Sequence, residues 1–149
     1  MIKLRDILYE GVYDPGILKV VFMAGGPGSG KSRTAGMIFG INPKSMYAIS
    51  TQSGLKFVSS DISFEKLLKD AGIDPRNLGS MDPEEFQKLT VGPNSIRSKA
   101  KGVRDNQRTA FINSRLGMII DGTGESYDKI LSKKKIFEDL GYDAYMIFV

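Results

Sequence analysis

The sequence predicts an α/β protein built on a mostly parallel sheet. Three observations predict it: four apolar segments rich in branched residues, helical patterns lying between them, and turn signals at the junctions. Strands that alternate with helices imply crossover connections, and crossovers lay parallel strands side by side.

The first strand is expected over residues 17–24 (ILKVVFMA), a nearly continuous apolar run of the kind buried on both faces. A glycine-rich segment, 25–30, follows, and then a helix from Lys31 to about Phe39. Residues 40–54 are rich in Gly, Asn, Pro and Ser and read as a loop, with a short edge segment near 46–49. A second strand, 55–60, ends at Asp61. Helices are expected over 63–71, closed by Gly72, and over 83–89, with Asp82 as N-cap and Pro83 at the first position. The longest helical pattern is 94–115, where Ile96, Ala100, Val103, Gln107, Ala110, Phe111 and Ser114 share a face. A third strand, 118–120, runs into Asp121. A helix over 126–140 is expected to bury Ile130, Phe137 and Leu140 and to stop at Gly141. The fourth strand is 144–149, and no helix follows it to cover the sheet. The expectation is therefore a fragment, or a fold that a partner completes. Residues 1–16 read as an N-terminal extension and 17–149 as one core.

Composition narrows the chemistry. The 149 residues fit one domain able to bury a core of its own. Cysteine is absent, which excludes disulfides and thiolate metal sites. Histidine is absent too, so acid–base work falls to Asp, Glu, Lys or Tyr. No apolar run approaches the roughly 18 residues of a membrane span. The N-terminus alternates charged and apolar residues, unlike a secretory signal, and a cytoplasmic location is expected. A net charge of +4 mildly favours anionic partners: nucleotides, sugar phosphates or nucleic acid.

Gly25-Gly26-Pro27-Gly28-Ser29-Gly30-Lys31-Ser32 satisfies G-x-x-x-x-G-K-[ST] between a buried strand and a helix. Each residue type has a reason. Glycines adopt positive φ and leave room for phosphate oxygens beside the main chain. Successive N–H groups form an anion nest, and the helix N-terminus adds about half a positive charge. Lys31 is expected to reach the β- and γ-phosphates, and the Ser32 hydroxyl to ligate Mg²⁺. Gly26, Pro27, Gly28, Ser29, Gly30, Lys31, Ser32 and Arg33 are the expected contacts to ATP or GTP. In open parallel sheets ligands lie beyond the carboxyl ends of the strands, which draws attention to Asp61 and Asp121. Asp121 is the expected Mg²⁺-orienting acid and Asp61 the expected base for a substrate hydroxyl. The alternative for each is structural: Asp61 as a helix cap, Asp121 as the start of a turn at Gly122.

These residues resemble the zeta-toxin-type kinases. The resemblance rests on Ile119-Ile120-Asp121-Gly122-Thr123-Gly124 before a helix, Leu140-Gly141-Tyr142-Asp143 before a strand, the phosphate loop, and Asp61. It implies a P-loop NTPase with an adenylate-kinase-like, three-layer core that phosphorylates a hydroxyl with ATP and Mg²⁺. In that family the acceptor is a UDP-activated amino sugar. Carried over by position, Lys31 and Ser32 match the nucleotide and metal residues, Asp61 the base, and Asp121 an acidic position usually filled by Glu. Thr123 joins Asp61 as an expected substrate contact. The family's arginine-bearing lid follows the fourth strand, where this sequence stops. Phage 5′-hydroxyl polynucleotide kinases share the loop and the aspartate but match less well around Asp121–Gly124. A non-catalytic nucleotide-binding phage or virion protein is a third reading.

Arg97, Lys101, Arg104, Arg108 and Arg115 fall on one helical stripe. A solvated helix face is the simpler reading; a substrate-phosphate contact is the functional one, with Arg104 and Arg108 as its first candidates. Leu4-x-x-Ile7-x-x-Glu10 resembles the capsid-targeting peptides of large tailed phages, which are clipped after Leu/Ile-x-Glu. That resemblance implies a phage-head partner and a virion or host-cytoplasm location; an N-terminal helix packing on the domain is the simpler alternative.

Overall fold

The computed structural model describes residues 14, 16–26, 29–40, 51, 53–123 and 127–149. The expected N-terminal helix, the edge segment near 46–49, and Pro27, Gly28 and Gly124 lie outside the described residues. Along the chain come β1 (Lys19–Gly25), α1 (Lys31–Phe39), β2 (Lys56–Val58), α2 (Ser60–Asp70), a 3-10 helix (Pro75–Ser80), α3 (Pro83–Thr90), α4 (Ile96–Asn113), β3 (Met118–Thr123), α5 (Tyr127–Asp139) and β4 (Asp143–Phe148). No helix among the described residues is long and apolar enough to cross a membrane.

Contacts divide the chain into two compact units, one drawn from Met1–Val58 and Phe111–Val149, the other Ser59–Ala110. The first contains the sheet. Its four strands are all parallel, in the order β2-β3-β1-β4. The α/β class and the parallel sheet are as expected. Side chains alternate between faces along each strand, so the register sets two layers on one face: Phe22 beside Ile120 and Met146, then Ala24 beside Gly122 and Phe148. On this face Phe22, Val20, Met118 and Ile120 bury against Phe137 of α5 and against Tyr142. The Phe137 ring meets Phe22 edge-on at 5.8 Å and Tyr142 at 5.2 Å. The Tyr142 hydroxyl donates to the Leu116 carbonyl at 3.0 Å.

Leu140 and Arg115 lie differently from expectation. Leu140 is 51% exposed, because the helix ends at Asp139 and Gly141, in the left-handed region (φ 88), turns the chain into Tyr142. Arg115 is not on the long helix: α4 stops at Asn113 and Arg115 itself takes a left-handed φ of 55.

The second unit is helical. Phe64 and Leu68 of α2 bury against Ala100 of α4, with Leu67, Ile73, Leu78, Leu89 and Ile96 around them. The Asp82 side chain caps α3 by accepting from the Glu84 amide at 2.9 Å, and Pro83 opens the helix, as expected. The 3-10 helix has an analogous cap. Asp74 accepts from the Arg76 amide at 3.0 Å and from its guanidinium at 2.7 Å, which holds the carboxyl at about 2.

Candidate phosphate-binding site

The order β2-β3-β1-β4 has a switch point between β1 and β3. The connection after β1 runs toward β2, and the one after β3 crosses to β4. Right-handed crossovers in opposite directions put α1 and α5 on opposite faces of the sheet. A crevice therefore opens beyond the carboxyl ends of β1 and β3, where doubly wound sheets hold ligands. The glycine-rich loop leaves β1 at this point.

Gly30 is the N-cap of α1, with φ 91, and no side chain caps the helix. The first-turn amides of α1 are left to a ligand or to water. Thr34 N–H donates to the Gly30 carbonyl at 2.9 Å, so the helix is hydrogen-bonded from its first turn. On the other side, Ser29 N–H donates to the Gly26 carbonyl at 3.2 Å. Lys31 is the first residue of α1 and only 6% exposed. Its ammonium turns back and donates to the carbonyls of Gly25, at 3.0 Å, and Gly26, at 2.8 Å. The positive charge is thereby pinned against the loop. Gly26, Ser29, Gly30, Ser32 and Arg33 are exposed beside it.

Contrary to expectation, Asp121 does not end the third strand; it lies inside β3, with Gly122 and Thr123 continuing the strand beyond it, and it pairs in register with Met23. It therefore shares the Val21–Met23 face of the sheet, the face that carries α1, and its Oδ1 is shielded from solvent. Lys31, Ser32 and Asp121 thus belong to the same face and the same end of the sheet. No cluster of three or more His, Asp or Glu suited to a metal occurs among the described residues. Mg²⁺ does not need one, because it keeps several waters and takes one or two protein ligands plus phosphate oxygens. A hydroxyl and a carboxylate fit that demand. The backbone of Thr123 ends β3 on the same side, and its side chain lies outside the described residues.

Asp61 is not the last residue of a strand. Ser59 follows β2 directly and caps α2, and its Oγ accepts from the Asp61 amide at 3.2 Å. Asp61 is thus in the first turn of α2. Its carboxylate is half exposed and pairs with Arg97 of α4 at 2.7 Å. The Arg97 guanidinium also lies 5.0 Å over the Phe64 ring, which fixes it from below. Arg104 and Arg108 both turn to Asp105, at 2.9 and 3.5 Å, so one carboxylate offsets part of the charge of these two arginines. Sequence reasoning placed Arg97 in the stripe but not as the partner of Asp61. The only signal was the pairing of opposite charges, which many other residues offered equally.

A cleft of about 320 Å³ adjoins the loop on the opposite, α5-bearing face. The second layer of the sheet explains it. Ala24 and Gly122 leave space where Phe22 and Ile120 fill it one layer below, and Ile130 and Phe148 flank the gap. Sequence reading did not find it, because the alignment of Ala24 with Gly122 exists only once the register is known. No protein-family model matches this chain, and no curated protein matches it.

Proposed function

We propose that the chain is a P-loop phosphotransferase with an adenylate-kinase-like core, which binds ATP or GTP with Mg²⁺ and phosphorylates a hydroxyl of a small molecule, a nucleotide sugar being the expected class. The observation that carries the reading is the loop itself. A buried ammonium is held by the Gly25 and Gly26 carbonyls, beside an N-terminus that no side chain caps, at the switch point of a parallel sheet. A helix N-terminus beside an ammonium is a combination that suits a polyphosphate.

Lys31 offsets the charge that gathers on the β- and γ-phosphate oxygens. Ser32 and Asp121 are the residues that would hold Mg²⁺, which supplies further neutralisation of that charge when bound. The acceptor oxygen bonds to the γ-phosphorus as the bond to the β–γ bridging oxygen breaks, and the nucleoside diphosphate leaves. Asp61 takes the acceptor's proton in this reading. Lys31→Ala is expected to abolish nucleotide binding measured by calorimetry; unchanged affinity would refute the loop's role. Asp61→Asn is expected to spare nucleotide affinity and lower turnover about 10²–10⁴-fold.

One observation favours a second reading, nucleotide binding without transfer: the Asp61 carboxylate is engaged by Arg97 in an ion pair of the kind that holds helices together. Equal turnover by wild type and Asp61→Asn, or tight nucleotide binding with no transfer to any acceptor, would favour it.

A further inference from the structure

We infer that the cleft beside the loop receives the base of the bound nucleotide, and that it holds the base without reading which purine it is. The inference rests on the nucleotide reading above. Gly25 and Gly26 belong to both structures: their carbonyls hold Lys31, and their backbone forms one wall of the cleft. A ligand gripped by the loop therefore lies beside a wall that the loop and the cleft share.

The volume, about 320 Å³, is at the lower end of the range of small-ligand pockets, about 300–1,000 Å³. Missing side-chain volume at Ala24 and Gly122 opens the cleft, and Ile130 of α5 is among the residues that line it. An apolar cleft of this kind suits the ring of a base. Phe148 is 82% exposed and lines the cleft, so its ring is available to stack on a base.

The lining also determines what the site cannot discriminate. None of the described residues that line the cleft has a polar side chain. Strong rejection of one base over another needs buried donors or acceptors that the wrong base leaves unpaired, and the only polar groups among the described residues of this lining are those of the backbone. A wall of Ala, Ile, Phe and glycine backbone offers area and stacking, which adenine and guanine satisfy alike. ATP and GTP are therefore expected to bind within about tenfold of each other.

Calorimetry on the intact chain with Mg²⁺ tests this, using ATP, GTP and inorganic tripolyphosphate as probes. Tripolyphosphate reports on the loop alone. Phe148→Ala removes the stacking ring at an exposed position, where folding is little affected, and is expected to weaken ATP and GTP about tenfold while leaving tripolyphosphate unchanged. Ile130→Trp fills the cleft and is expected to do the same. The inference is overturned if neither substitution changes ATP affinity while tripolyphosphate still binds. ATP binding no tighter than tripolyphosphate, or ATP preferred over GTP by more than a hundredfold, overturns it too. So does a dimer that Phe148→Ala converts to monomer with ATP affinity intact, since the cleft then belongs to a second copy. Failure of tripolyphosphate itself to bind overturns the phosphate-loop reading, and the inference with it.

Discussion

Gly25 and Gly30 stand at the two ends of the loop, and a methyl group added at each meets different surroundings. At Gly30 nothing lies within 4 Å of the new Cβ, so the cost is that of the left-handed backbone alone. Gly30→Ala is expected to lower stability by about 1–2 kcal/mol in urea unfolding. At Gly25 the Cβ would come within 2.5 Å of the Val149 carbonyl and 2.6 Å of the Ser29 hydroxyl. The hydroxyl can rotate away, but the carbonyl is backbone, and the amide of the same residue, Val149, donates to the Ala24 carbonyl. Gly25→Ala must therefore move the loop or the end of β4, and it is expected to cost nucleotide affinity as well as stability; affinity equal to wild type would refute this. The loop stands out in the sequence because its pattern is local: eight consecutive residues match G-x-x-x-x-G-K-[ST]. The place of Asp61 does not, since Ser59, Ser60, Asp61 and Ser63 can all cap a helix and nothing local chooses among them. The choice of Ser59 follows from β2 ending at Val58, a matter of pairing with β3.

Helix boundaries were legible where a side chain states them. Asp82-Pro83 opens α3 as its chemistry requires, and Asp82→Ala is expected to cost about 1 kcal/mol by exposing the Glu84 amide. The end of α4 was not legible, because left-handed termination there falls to Arg115 instead of a glycine. The 3-10 helix was missed for a related reason: six residues give no periodicity to read. Tyr142 joins elements that the sequence alone cannot bring together, for its hydroxyl reaches the carbonyl of Leu116, 26 residues away. Burial raises its pKa above the usual 10.0. The folded state therefore holds the phenolic proton more tightly than the unfolded chain does. The corresponding stability is fully present below pH 10 and is lost as pH rises through the raised value. Unfolding free energy should fall above pH 10, and Tyr142→Phe should flatten that part of the profile while costing about 1 kcal/mol at neutral pH. Equal slopes for both proteins would remove Tyr142 as the cause.

Sheet order was the least legible feature. Alternating strands and helices announce a parallel sheet, but β1 lies between β3 and β4 through pairings separated by about a hundred residues, and no local pattern encodes them. That order matters because it sets the loop on a strand flanked on both sides. A ligand held by the loop is then coupled to the most cohesive part of the sheet unit. Ligand that binds only the folded form stabilises it by mass action, about 2.7 kcal/mol at a hundred times its Kd. Mg²⁺-ATP at that concentration is accordingly expected to raise the unfolding transition of the sheet. Hydrogen exchange should slow first in β1 and β3, whose Val20, Met23, Met118 and Ile119 are already fully buried. Lys31→Ala should lose the ligand-induced shift, over and above what the unliganded fold loses with the two carbonyl hydrogen bonds. A shift that survives Lys31→Ala would mean that the stabilising ligand grips the chain elsewhere. A shift seen with ATP but not tripolyphosphate would assign the coupling to the base and not to the phosphates.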